Sequence, residues 1–112
     1  VKYVYLIQLE NTDIYKIGYT KNAPKIRLKS LQTASPYKLV LVEEFLSKWA
    51  TKLEGTLHRT LKSYKIDENE YKLQGEFFKL DHKTRSSFIE MCEKIENNFD
   101  TISKHSTLKK PF

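Results

Sequence analysis

Two apolar runs with a short polar break between them constrain this chain most. "YVYLIQL" (Tyr3–Leu9) is dense in β-branched and aromatic residues and predicts a buried strand. "ENTD" (Glu10–Asp13) is a cluster of turn formers. "IYKIGYT" (Ile14–Thr20) predicts a second strand, so the two close into a hairpin. Side chains alternate along a strand. Tyr15, Ile17 and Tyr19 therefore share one face of the second strand, with Lys16 and Gly18 on the other, and Tyr3 and Tyr5 share a face of the first.

The rest of the chain reads as helices and strands in turn. Asn22 is placed to cap a helix over about Ala23–Gln32, with Pro24 in its first turn. "TASPY" breaks that helix, and "KLVLVEEFL" (Lys38–Leu46) predicts a third strand. Ala50, Leu53, Leu57, Leu61 and Tyr64 form one apolar stripe on a helix expected from Ser47 to Tyr64. Lys65–Gly75 reads as a polar loop and Glu76–Leu80 as a short strand or extended edge. Asp81 is placed to cap a third helix with Phe88, Met91, Cys92, Ile95 and Phe99 on its apolar face. A length of 112 residues suits one domain. The expected fold is a small α/β sandwich, with a central three-stranded mixed sheet (the antiparallel hairpin plus a third strand) flanked by helices. It spans 1–99, and residues 100–112 form a polar, basic tail or linker.

Charge narrows the partners. The formal net charge is +6, and five cations with no carboxylate lie between Lys16 and Lys29. A field of one sign suits a polyanion such as nucleic acid, and an ordinary lysine-rich surface looks the same from charge alone. No run is apolar and long enough for a membrane span, and no secretory leader is expected. A single cysteine, Cys92, excludes an internal disulfide and fits an intracellular setting. The three glycines are too scattered for a phosphate loop, and no Cys/His cluster has zinc spacing. Three features remain. Gly18 leaves either a plain strand end or room for a phosphate. Arg27 carries a planar fork for phosphate oxygens, on a helix that also bears Lys25 and Lys29. Glu54 and His58, four apart, form either a surface pair or half of a hard-cation site.

Taken together these residues resemble the GIY-YIG nuclease superfamily. The likeness is to its phage and large-virus branch, named for an open reading frame of phage T-five, and it covers roughly Tyr3 to Leu80. "YVY" stands for the first motif, with Tyr5 as its tyrosine. "KIG" (Lys16–Gly18) stands for the second, with Lys16 in place of the usual tyrosine. Arg27 matches the helix arginine, "KLEGTLH" (Lys52–His58) the glutamate helix, and "GEFFKL" the closing signature of the branch. The late asparagine of many members has no match. The resemblance implies a DNA endonuclease that uses Mg²⁺ or Mn²⁺. Glu54 is its metal ligand, Arg27 its phosphate clamp and Tyr5 its general base, with Lys16 as the cation that helps Tyr5 ionise. Tyr15, Lys21, Lys25, Lys29 and His58 are the expected DNA contacts, and His58 is also placed to orient Glu54. A second domain or a dimer partner would add sequence specificity. The competing expectations are a DNA-binding module with weak or lost catalysis and a protein-interaction domain.

Overall fold

The structure, a computed structural model, describes residues 2–67, 69, 73 and 75–104. The hairpin is its centre. Strands β1 (Lys2–Leu9) and β2 (Ile14–Thr20) pair antiparallel from Tyr3↔Thr20 to Gln8↔Tyr15. Asn11 closes the turn with φ 62°, a left-handed conformation that asparagine tolerates. The Thr12 N–H donates to the Leu9 carbonyl at 3.0 Å.

Helix α1 (Pro24–Ala34) follows and leads to β3 (Leu39–Ser47). The expected cap is not used. Ala23 holds the N-cap position with no side-chain bond, and Asn22 instead donates its backbone N–H to Thr20 Oγ1 at 3.2 Å. A short strand, β4 (Phe77–Lys79), completes a sheet of order β3-β1-β2-β4.

This corrects the expected three-stranded mixed sheet. Among the described residues there are four strands, and every pairing is antiparallel. The reason lies in the crossover. The β2–α1–β3 connection makes β2 and β3 run the same way, but β1 lies between them, so they never pair with each other. β3 is an edge strand whose pairing with β1 shifts register at Leu6/Ile7, and it carries Glu43 and Glu44, features that discourage edge-to-edge pairing.

Helices cover both faces, which is why Val4, Tyr5, Leu6 and Ile7 are all buried in succession. On one face Leu28 and Leu31 of α1 pack on Tyr5, Ile7, Leu9, Ile14, Leu39 and Phe77. On the other face, Val4, Leu6, Tyr15, Ile17 and Phe78 meet helix α2 (Ala50–Thr60) and a longer C-terminal helix, through Leu53, Leu57, Phe88 and Cys92. Helix α2 is shorter than expected at both ends. Ser47 is the last residue of β3, paired with Lys2, and after Thr60 a 3-10 turn (Lys62–Tyr64) takes over.

Asp81 caps as expected, accepting the Thr84 N–H at 2.7 Å, but the helix it starts, α3 (His82–Ser86), is brief. A break at Ser87 separates it from α4 (Phe88–Lys104), which carries the expected apolar face. Helix α4 continues past residue 99. Asp100, where the tail was expected to begin, accepts the Trp49 indole N–H at 2.7 Å and pairs with Lys48 at 3.2 Å. Residues 105–112, and most of the expected loop between Asp67 and Gly75, lie outside the described residues.

Candidate active site

The site begins where β4 stops. β4 pairs with Ile14, Tyr15 and Lys16, so the outer edge of β2 from Ile17 onward has no partner strand among the described residues. Tyr5 lies opposite Gly18 across the β1–β2 ladder and Lys16 opposite Ile7, which puts Tyr5, Lys16 and Gly18 on the α1 face. Gly18 lets the Tyr5 ring cross the strand. A Cβ at that position would stand 2.3 Å from Tyr5 Oη, closer than any real contact. The phenol is thereby carried over β2 toward its open edge.

Arg27 reaches the same place from the first turns of α1. Its guanidinium stands beside the Tyr5 hydroxyl and draws that pKa down, although burial outweighs it and the phenol stays above its ordinary value. Lys16 lies with its ammonium 5.3 Å from the centre of the Phe77 ring and close against Gly75, where a Cβ would come within 2.7 Å of Nζ. Gly75 has φ +93°, so its missing side chain and its backbone conformation serve the same approach. Burial holds the Lys16 ammonium below the usual lysine range, and the charge of Arg27 adds to the effect. Arg27 draws the phenol down first through a hydrogen bond and then through its charge.

Glu54 comes from α2, on the far side of the sheet. Its carboxyl is held above the usual range first by burial, while His58 and Lys16 pull it down. His58, one turn later, stands 3.7 Å away through Nε2. That same nitrogen donates to the Ile17 carbonyl at 2.7 Å, since a carbonyl only accepts. Its Nδ1 pairs with Glu76, and its ring lies edge-on to Phe78 at 5.1 Å. Glu76 also accepts from Lys65 Nζ at 3.0 Å, and these two partners hold its carboxyl below the usual range. His58, expected as a DNA contact, is thus engaged within the protein at both ring nitrogens.

Tyr5, Lys16, Arg27 and Glu54, drawn from four elements, act on one another electrostatically at this edge. The family model of the T5orf172 domain matches residues 2–96. The chain belongs to the T5orf172 domain family. No curated protein and no solved structure matches it.

Other expected residues of this T5orf172 domain divide by face. Lys21, Lys25 and Lys29 are exposed, as is Arg27. Tyr15 is not with them. It is 6% exposed, packed in the α2-side core, with its hydroxyl accepting from Gln8 Nε2 at 3.4 Å, and a buried ring there cannot touch DNA. Glu76 and Lys65 were missed as site residues. The sequence signal was the "GEFFKL" likeness, but nothing local pairs Glu76 with a histidine 18 positions earlier. Among the described residues no three His, Cys, Asp or Glu side chains form a ready metal cage, and no helix is long and apolar enough to cross a membrane.

Proposed function

We propose that this T5orf172 domain is a metal-dependent DNA endonuclease of the GIY-YIG kind. The observation that carries the reading is the meeting of Tyr5, Lys16, Arg27 and Glu54 at one open strand edge, beside an exposed run of lysines. The exposed Arg27 offers a fork to two phosphate oxygens, and Lys16 adds a point charge. Tyr5 Oη accepts the proton of a water as that water attacks phosphorus and the bond to the leaving oxygen breaks. Arg27 favours the ionised phenol that this step needs.

The donor set fits one hard divalent cation. Glu54 is half-buried with His58 Nε2 3.7 Å away, and a single carboxylate completed by waters and substrate phosphate is how Mg²⁺ is usually held. Bound there, Mg²⁺ or Mn²⁺ would offset charge developing on the phosphate and the leaving oxygen.

A plasmid-nicking assay with Mg²⁺ and Mn²⁺ tests this. Wild type nicks DNA, and Glu54→Gln, Arg27→Ala and Tyr5→Phe each lose about 10²-fold or more. Cleavage that survives both Glu54→Gln and chelation would sink the mechanism. One observation favours a second reading, a DNA-binding module without catalysis. Tyr5 is 2% exposed, and burial raises its pKa, which opposes its use as a base. That reading predicts salt-sensitive DNA binding with no nicking in either metal.

A further inference from the structure

We infer that Glu76 is a positioning residue for this site, acting on Glu54 through His58. The inference rests on the endonuclease reading for what Glu54 does, and on the hydrogen-bond chain for how Glu54 is placed.

The β2 edge loses its strand partner after Lys16, and the next carbonyl, Ile17 O, would face outward without a donor. His58 fills that place. Its Nε2–H donates to Ile17 O at 2.7 Å, so a side chain of α2 continues the ladder where β4 leaves off. Ile17 lies between Lys16 and Gly18. One bond therefore ties the helix bearing Glu54 to the strand segment bearing the lysine and the gap that Tyr5 crosses.

That bond lasts only while the ring keeps its plane and Nε2 faces Ile17 O. Glu76 fixes the ring from its other side, its carboxylate accepting from Nδ1–H. It pairs with Nδ1 from the residue just before β4, and Lys65 fixes Glu76 in turn at 3.0 Å. Lys65 is held by its own bridge to Phe78, and the adjacent Ile66 N–H donates to Phe77 O at 3.0 Å. The chain Lys65–Glu76–His58–Ile17 thus runs from β4 across to β2, with Glu54 one helical turn from its centre. A partner behind a site residue commonly changes metal affinity or activity by about 10–100-fold.

The test uses the whole chain and three readouts on Glu76→Ala and Glu76→Gln. Long-range ¹⁵N NMR of the His58 ring reads the proton on Nε2. Mn²⁺ alone, titrated by EPR, reads the Glu54 site. Nicking kinetics separate kcat from KM. In Glu76→Ala the Nε2–H signal is lost to exchange, Mn²⁺ binds about tenfold more weakly, and kcat falls by a similar factor with KM for DNA unchanged. Glu76→Gln restores most of each, because its amide oxygen still accepts from Nδ1–H and holds the ring. A protected Nε2–H in Glu76→Ala overturns the inference. So does unchanged Mn²⁺ affinity in that variant, even with a freed His58. A wild type that neither binds Mn²⁺ nor nicks DNA overturns the endonuclease reading instead. In that case the ¹⁵N signal of His58 and the ¹³C shift of the Glu54 carboxyl decide the positioning by themselves.

Discussion

Replacing Gly18 with alanine puts a methyl group where Tyr5 crosses β2. The new Cβ would stand 2.3 Å from Tyr5 Oη and 2.5 Å from Cζ, where ordinary contact begins near 3.4 Å. The ring must retreat by about 1 Å, and it is 2% exposed among packed neighbours. Overpacking of this kind costs about 1–3 kcal/mol. In a domain of this size that lowers Tm by about 4–8 °C per kcal/mol. A misplacement of about 1 Å at a reacting group costs about 10²-fold in rate. Positive φ plays no part, since Gly75 is the glycine among the described residues that adopts it. Thermal melts and nicking assays on Gly18→Ala read the two effects. Repeating the change in a Tyr5→Leu background removes the obstacle, and the stability cost should shrink to within about 0.5 kcal/mol of zero. An equal cost in both backgrounds, or a Gly18→Ala chain with wild-type melting and cleavage, would refute the reasoning.

Gly55 should behave in the opposite way: a Cβ there meets only Arg59 Nη1 at 3.4 Å, so Gly55→Ala within α2 should add about 0.5–1 kcal/mol in a urea melt. Charge reversal at Lys25 and Lys29 should weaken DNA binding and flatten its salt dependence, whereas Tyr15→Phe should leave affinity unchanged in the same fluorescence-anisotropy titration. Lys16→Met should abolish cleavage yet stabilise the fold at neutral pH. Burial depresses the folded-state pKa of Lys16 below its unfolded value, so the wild type gains stability as pH rises through that depressed value. Paired denaturant melts should therefore show the Met variant's advantage narrowing from neutral toward alkaline pH.

The hairpin was legible because its information is local. Alternation alone set Lys16 and Gly18 apart from Tyr15, and the ladder agrees. Tyr15 was expected as a DNA contact even though the same alternation set its ring away from Lys16, and the ring is buried. The pairing of β3 was not legible, because neither a neighbouring strand nor a direction is written in Leu39–Ser47 itself. β4 was expected as a short strand or extended edge within Glu76–Leu80, but its pairing with Ile14–Lys16 was not legible, because that is set by tertiary packing. Helix α2 kept its apolar stripe but lost its expected first turn, because Ser47 finds a strand partner in Lys2. Arg27 and Glu54 could be singled out by residue type and likeness. The His58–Glu76 pair could not, since it exists only once β4 has docked beside β2.

Trp49 is buried where the start of α2 meets the end of α4, its indole bonded to Asp100 and its ring centre 5.6 Å from that of Phe99. It is the chain's only tryptophan. Excitation at the red edge of protein absorbance therefore selects a single emitter, and its colour reports one joint. Opening of α4 from α2 moves that indole into water and shifts its emission to the red. A fluorimeter can follow this docking in unlabelled protein, with no substitution needed to install the probe.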